Sequence, residues 1–379
     1  MKTIKQKTVL LILFCICNSF CAFSQNPILW GMTSFGGSTG GGTIFKIYGN
    51  GTGFTLKHSF ASPTGINPYS NFILASNGKM YATVCNWGAN QKGTLISFDP
   101  LTNIFTDVHN FNFTNGGFPS GSLIQLANGI IYGLAQGGGI NGNGVIFSFD
   151  PAINAYNVVH DFYWPDGDNP RGGLIQASNG ILYGMTSVGG SSTNGNIFSF
   201  DPATNTFANL FSFIGSNGSS PIGDLIEATN GKLYGMTYNG GTINGGVLFS
   251  FDLSNNTYTK LIDFTGSNGK NPSGTLLQFS NGLLYGLTKY GGANNSGILF
   301  SYDISNSSFS SILNFIGTNG DRPCGSLSYA SDGKMYGMTQ YGGVNNKGTI
   351  FSFEPLINNQ VVIFSFNTTN GEFPRKWIY

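Results

Sequence analysis

The chain has 379 residues, of which 9% are charged, and it contains 57 glycines and 33 phenylalanines. This aromatic content excludes a disordered chain. The first 24 residues hold three of the 17 basic residues and none of the 16 acidic ones, which leaves 14 basic against 16 acidic residues and a net charge of −2 beyond them. Because nucleic-acid binding depends on basic surfaces, we expect no nucleic-acid partner.

Residues 1–24 have the pattern of a secretory signal peptide. Three lysines precede an apolar run over 9–17, and small residues near the end of the segment predict cleavage before Gln25. A lipid anchor at Cys21 is the alternative, which Phe20 disfavours because a small residue is required there. No later apolar run approaches about 18 residues, so we expect no membrane span and a protein that is secreted or held at the outer cell surface.

The rest of the chain repeats every 51 residues without insertions or deletions. An aromatic series, a phenylalanine series and a proline series all follow this spacing: Trp30, Tyr81, Tyr132, Tyr183, Tyr234, Tyr285 and Tyr336; Phe60, Phe111, Phe162, Phe213, Phe264, Phe315 and Phe366; Pro68, Pro119, Pro170, Pro221, Pro272, Pro323 and Pro374. Seven copies of one unit therefore fill nearly the whole chain.

The fifth copy gives the predicted elements in chain order. Strands are expected at 233–237, 247–252, 258–264 and 275–279, from their apolar and alternating residues. The Asn-Gly pair in the turn at 280–282 is a strong hairpin signal. Each unit is thus four short antiparallel strands, and no helix is expected after the signal.

Seven such units predict an all-β, seven-bladed β-propeller over residues 25–379, with one sheet per blade. A parallel β-helix is the alternative, although its coils are shorter than 51 residues. The first repeat lacks a strand before Trp30, and the chain ends within the equivalent strand. We therefore expect residues 375–379 to complete the first blade and close the ring.

The repeat resembles known families. Gly-Lys-Leu-Tyr at 231–234, the paired glycines and the segment 198–207 are similar to kelch repeats. A closer resemblance is to bacterial GloVer-repeat proteins, carried by Tyr-Gly-Met-Thr at 183–186 and the glycines at 189–190, and it covers all seven units. The resemblance implies a secreted or surface protein with no shared catalytic residue. Members have varied C-terminal anchors, whereas residues 375–379 are not expected to form an anchoring domain.

Most chemically reactive residues also follow the repeat and are assigned to the scaffold. His58, His109 and His160 are 51 residues apart, which places them on different blades and too far apart to share a zinc ion. The acids Asp99, Asp150, Asp201, Asp252, Asp303 and Glu354 each head a turn. Cys85 and Cys324 lie in repeats that are not neighbours, so we expect two thiols. We expect no metal and no cofactor.

Residues that break the repeat are candidate ligand contacts, because folding does not require them. The loop at 162–171 combines aromatic, acidic and basic groups, which suit a sugar or a peptide carbonyl. The candidate ligand-binding residues are Trp164, Asp166, Asp168, Arg171, Asp321, Arg322 and Trp87.

These features favour a monomeric, non-catalytic binding or adhesion module for an extracellular glycan or protein. The alternative is a carbohydrate-active propeller enzyme, a hydrolase or lyase. Asp166 and Asp168 are the close carboxylate pair in the unusual loop, yet their spacing does not establish a glycosidase pair. The loops have the same length in every repeat, and no catalytic constellation is evident, so we predict no catalytic residues.

Overall fold

The computed structural model describes residues 26–62 and 65–374, which form seven antiparallel β-sheets arranged as the blades of a propeller. The prediction of an all-β seven-bladed propeller is confirmed. The predicted signal peptide with its cleavage site, and the strand predicted at 375–379, lie outside the described residues. No helix among the described residues is long and apolar enough to cross a membrane.

The strands follow the repeat. Blade 1 contains β1 (Ile28–Thr33), β2 (Thr43–Tyr48) and β3 (Thr55–Ser59); blade 2 contains β4 (Ile66–Pro68), β5 (Ile73–Leu74), β6 (Met80–Asn86), β7 (Thr94–Phe98) and β8 (Phe105–Asn110). Blade 3 contains β9 (Ile124–Gln125), β10 (Ile131–Ala135), β11 (Val145–Asp150) and β12 (Ala155–Asp161); blade 4 contains β13 (Ile175–Gln176), β14 (Leu182–Thr186), β15 (Asn196–Asp201) and β16 (Thr206–Ser212). Blade 5 contains β17 (Ile226–Glu227), β18 (Lys232–Thr237), β19 (Val247–Asp252) and β20 (Thr257–Asp263); blade 6 contains β21 (Lys270–Pro272), β22 (Leu277–Gln278), β23 (Leu284–Tyr290), β24 (Ile298–Asp303) and β25 (Ser308–Asn314). Blade 7 contains β26 (Asp321–Tyr329), β27 (Met335–Tyr341), β28 (Thr349–Glu354) and β29 (Asn359–Ser365).

The core lies between neighbouring blades. Tyr183, Met185 and Ile197 of blade 4 pack against Leu233 and Phe249 of blade 5, and all five side chains are buried. Burial of a side chain as large as phenylalanine contributes about 2–3 kcal/mol. Because both faces of each middle strand meet another blade, β18 is buried over 233–237 and β19 over 247–251, rather than at alternate residues.

The innermost strands differ from the prediction. A continuous strand is expected at 275–279, but the structure has the short strands β21 and β22, both paired with β23. The chain bulges between them, because the inner backbones crowd one another at the propeller axis. A methyl group on Gly274 would lie 1.8 Å from the carbonyl oxygen of Gly325 in the next blade.

The ring closes between blades 7 and 1. Phe364 stacks on Phe54 with ring centroids 4.3 Å apart, as Phe211 stacks on Tyr258 at an ordinary blade junction. Beyond β29, Glu372 exchanges two backbone hydrogen bonds with Phe35 of blade 1, at 2.8 and 3.2 Å. The segment leading to Pro374 therefore joins the last blade to the first.

The assigned scaffold roles agree with the structure. Asp201 accepts a hydrogen bond from the Ala203 N–H at 2.9 Å, and the equivalent acids Asp99, Asp150, Asp252 and Asp303 accept similar bonds in their own turns. Gly246 has a φ of 93° and packs against Pro272, so its place in the repeat reflects both conformation and space. Cys85 and Cys324 are buried thiols rather than a disulfide.

Candidate binding surface on the loop face

The two ends of the propeller differ in their connections. We call one end the loop face: it carries the paired-glycine loops between the second and third strands and the long loops from the outer strand to the next blade. The opposite end, the turn face, carries the short Asn-Gly hairpins and the turns headed by the recurring acids. Of the candidate residues predicted from the sequence, Trp87, Trp164, Asp166, Asp168 and Arg171 lie in loop-face connections, whereas Asp321 and Arg322 begin β26 at the same end.

Trp164 lies in a fixed loop between β12 and β13. Its carbonyl accepts a hydrogen bond from the Gly190 N–H at 3.1 Å, and Asn209 donates to the carbonyl of Pro165 at 3.3 Å. The side chains of Trp164 and Tyr163 are 47% and 49% exposed. Two neighbouring aromatic side chains are thus presented to solvent on a backbone held from both sides.

Asp166 is placed differently from Trp164. Its carboxylate is buried and lies 3.2 Å from Nε2 of His160. Burial lowers the pKa of His160 and raises the pKa of Asp166. One repeat earlier Asn115 lies 3.0 Å from Nε2 of His109, so Asp166 occupies a position that helps to shape the loop.

Asp168 and Arg171 lie where the same loop approaches the axis. Asp168 exchanges two backbone hydrogen bonds with Val188, and burial raises the pKa of its carboxyl group above the usual 3.8. Arg171 is exposed and its Nε donates to the side chain of Asn169 at 3.2 Å. The loop therefore offers an aromatic pair, a partly buried carboxylate and an exposed guanidinium.

A backbone feature of this face was not predicted. The residue before each recurring proline, which we call the pre-proline position, has a positive φ of 51–60° in all seven copies: Asn67, Phe118, Asn169, Ser220, Asn271, Arg322 and Phe373. Asparagine tolerates this conformation, whereas other L residues lose about 1–2 kcal/mol in it. Phe118, Ser220, Arg322 and Phe373 are thus strained positions.

Two further aromatic residues occupy glycine positions. Trp87 has a φ of 66° where the other six repeats have Gly36, Gly138, Gly189, Gly240, Gly291 and Gly342. Phe113 has a φ of 73° where three later repeats have Gly215, Gly266 and Gly317. Both side chains are about 40% exposed, at 41% and 39%. Strained residues concentrate at functional sites. The positive φ of Trp87 therefore supports it as a candidate ligand-binding residue.

Arg322 is held between aromatic rings. Its guanidinium carbon lies 4.8 Å from the ring centroid of Tyr341 and 5.5 Å from that of Tyr290. Asp321 places a carboxylate oxygen 4.0 Å from Nε. The aromatic surface continues to Phe373, whose ring lies 5.0 Å from Tyr341. Asp321 and Arg322 are therefore adjacent to each other, but on a different blade junction from the Trp164 loop.

The histidines lie between blades. His109 stacks on Tyr156 with ring centroids 3.7 Å apart, and burial lowers its pKa to about 4. His58 and His160 stack on the next blade in the same way, and Phe211 takes this position one repeat later. Within residues 26–62 and 65–374 no group of three or more potential metal ligands is found.

A large cavity lies on the propeller axis and was not predicted from the sequence. Its volume is about 1480 Å³, and its wall includes the repeat-spaced side chains Ile73, Ile124, Ile175, Ile226 and Leu277. Toward its base, Asp224 accepts hydrogen bonds from Ser122 Oγ at 2.7 Å and from the Gly173 N–H at 2.6 Å. The isoleucine spacing was available in the sequence as a signal.

The repeat sequence matches the model of a known protein family. The model of the Gloeobacter/Verrucomicrobia repeat matches residues 19–231 and 210–378. The chain belongs to this family. The predicted GloVer relationship is thereby confirmed. No curated protein matches the sequence.

Solved structures share the fold of this GloVer-repeat protein. The periplasmic gluconolactonase of Pseudomonas aeruginosa is 14% identical, with a TM-score of 0.60 over 93% of this chain and 98% of that one. Puromycin hydrolase is 10% identical, with a TM-score of 0.60 over 89% of this chain and 52% of that one. An extracellular domain from B. thetaiotaomicron is 13% identical, with a TM-score of 0.56 over 83% of this chain, which spans 38% of its length. At these identities the likeness concerns the fold alone.

Proposed function

We propose that this protein is an extracellular, non-catalytic binding module that recognises a glycan with its loop face. The observation that carries the proposal is that large aromatic and charged side chains break the repeat on this face. Trp164 and Tyr163 are exposed on a loop whose backbone is fixed by Gly190 and Asn209. Fixed aromatic surfaces suit the apolar faces of sugar rings, and stacking adds about 1 kcal/mol beyond burial.

The extracellular location rests mainly on the N-terminal sequence. Lysines followed by an apolar run over 9–17 are typical of an exported protein. Proteins with this fold include a periplasmic enzyme and an extracellular domain. A single fold can carry many activities, so the function has to be argued from the site.

The polar groups beside Trp164 are suited to binding. In this proposal Asp168 accepts and Arg171 donates hydrogen bonds to sugar hydroxyl groups, while Asp166 with His160 holds the loop. A general acid and base flanking one substrate atom would be needed for hydrolysis. The burial of Asp166 against His160 favours the binding role over the enzyme alternative.

The test is a glycan array followed by calorimetry on the best ligand. We expect Trp164→Ala to weaken binding by about fivefold or more, from the lost stacking. Ile316→Ala is the matched control, since Ile316 occupies the repeat position of Tyr163 and is likewise exposed; it should bind like the parent protein.

Three results would count against the proposal. If no glycan on the array binds, a glycan is not the ligand. Affinity that is insensitive to loop-face variants but is lost in Ile226→Asp would move the site to the axial cavity. Turnover of a bound oligosaccharide that disappears in Asp168→Asn would establish the enzyme alternative.

A further inference from the structure

We infer that Tyr290, Arg322 and Tyr341 form a second contact site on the loop face that recognises the carboxylate of an acidic glycan. We call these three residues the tyrosine clamp. The inference rests on the proposed function, because it takes the ligand to be a glycan and names its chemical class. It adds a site at the junction of blades 6 and 7, separate from the Trp164 loop.

The backbone conformation of Arg322 is unfavourable for an arginine. Its φ is 51° directly before Pro323, at the position where Asn67, Asn169 and Asn271 stand in other repeats. Those asparagines serve the scaffold: Asn271, for example, donates to the Tyr238 carbonyl at 2.7 Å. Arginine gives up this fit and adopts a conformation that L residues disfavour, so folding does not account for its presence.

The guanidinium of Arg322 is held between two rings and is partly exposed. Two tyrosine rings flank it at 4.8 and 5.5 Å, while 41% of the side chain is exposed. Stacking on rings restricts the guanidinium plane, and a planar guanidinium can donate two parallel hydrogen bonds to one carboxylate. The clamp therefore presents a pre-oriented donor for a planar anion.

A second cation and further aromatic rings surround the clamp. Lys289 lies 5.6 Å above the ring of Tyr290, and Phe373 extends the aromatic surface beyond Tyr341 at 5.0 Å. Phe35 of blade 1 follows at 6.2 Å from Phe373. Partly exposed rings beside the cations Arg322 and Lys289, which outnumber the Asp321 carboxylate 4.0 Å from Nε, match a sugar that has an apolar face and a carboxylate, which is the chemistry of a uronic acid.

The test measures binding of oligogalacturonate and of its methyl-esterified form by calorimetry. The two probes differ in the charge of the carboxyl group. We expect the parent protein to bind the acid form more tightly than the ester. Arg322→Asn should weaken binding of the acid form by about tenfold or more, because a hydrogen bond between charged groups is lost, and should leave binding of the ester unchanged.

A melting curve of the same variant separates binding from folding. Asparagine suits the pre-proline position. The Tm of Arg322→Asn should therefore lie between the parent value and about 2 °C above it. Ser220→Asn is the matched control, with the same substituted residue at the same repeat position and a φ of 52°. It should show a similar Tm change and unchanged affinity for both probes.

Equal affinity of the parent protein for the acid and the ester would overturn the acidic-glycan inference and leave the proposed function standing. Unchanged acid binding by Arg322→Asn would also overturn it. If neither probe binds, the inference fails, whereas the proposed function fails when the wider glycan array is blank as well. Binding of an oligoglutamate peptide as tightly as oligogalacturonate would instead assign the clamp to acidic protein segments.

Discussion

The loop face and the turn face are built from the same seven repeats, yet different residue types adopt the left-handed backbone conformation on the two faces. On the turn face it is occupied by Asn103, Asn154, Asn205, Asn256, Ser307 and Asn358 after the recurring acids. On the loop face, Trp87, Phe113, Phe118, Arg322 and Phe373 adopt it as well. Asparagine holds five of these six turn-face positions, whereas the loop face has strained aromatic and basic residues. This difference is what the proposed binding role of the loop face predicts.

The largest expected effect is a break in the ring on which both faces depend. Deletion of residues 372–379 removes the backbone pairing of Glu372 with Phe35 and exposes an edge of blade 1. We expect aggregation or loss of cooperative unfolding, measured by calorimetry and size-exclusion chromatography. Glu372→Gln keeps the backbone pairing and should elute as the parent protein does. A truncated protein with the parent melting curve would rule out closure through this segment.

The next largest effect is expected from the buried carboxylate of Asp224 near the propeller axis. Asp224→Ala leaves Ser122 and the Gly173 N–H without their shared acceptor and should reduce the free energy of unfolding by about 2 kcal/mol. Thr275→Ser retains the hydroxyl that accepts the Asp224 N–H at 3.0 Å, and it should cost less. Denaturant unfolding measures both variants. Equal stability of Asp224→Ala and the parent would show that the buried carboxylate is not a structural link.

A smaller effect depends on pH and sharpens the assignment of the histidines to the scaffold. Burial holds the pKa of His109 at about 4, below its value of about 6.5 in the unfolded chain. The unfolded state therefore binds more protons between these values, and the histidine's contribution to stability is lost as the pH falls from about 6.5 to 4. The variant His109→Phe puts a phenylalanine on Tyr156, as Phe211 stacks on Tyr258. This part of the pH dependence should then disappear. An identical pH profile in the variant would contradict the assignment.

The smallest effect is expected on the turn face. Ser307 has a φ of 59° where five other repeats have asparagine. Ser307→Asn should stabilise the protein by about 0.5 kcal/mol and leave ligand affinity unchanged, because no repeat-breaking ligand residue is proposed there. Paired measurements of Tm and affinity check this. A change in affinity would show that the turn face also contacts ligand.

The regular part of the molecule follows from the sequence because each recurring residue has a local physical reason. The glycine at 246 and the proline at 272 pack on each other in every copy, so a shared period predicts the fold and the blade number. The bulged inner strands could not be predicted, since the crowding of Gly274 and Gly325 arises only when blades surround an axis. The axial cavity also forms only when the blades surround an axis, so it could not be read from one repeat.

The candidate site was predictable in composition but less so in geometry. Trp164 and Trp87 stand out because they break the repeat. The contact of Asp166 with His160 could have been inferred from Asn115 and His109, which have the same six-residue spacing. The positive φ of Arg322 and its place between two tyrosines were not accessible, because backbone angles and contacts between blades are not visible in a list of residues.

The central claim is that the loop face keeps strained residues for binding. The most direct measurement compares the parent with a variant that restores the repeat at all five positions: Trp87→Gly, Phe113→Gly, Phe118→Asn, Arg322→Asn and Phe373→Asn. We predict that this variant has a Tm at or above the parent value and binds the glycan selected by the array about tenfold or more weakly, the loss expected from Arg322, although the Trp164 loop is intact. A variant that melts lower and still binds with the parent affinity would contradict the claim, because these residues would then serve the fold.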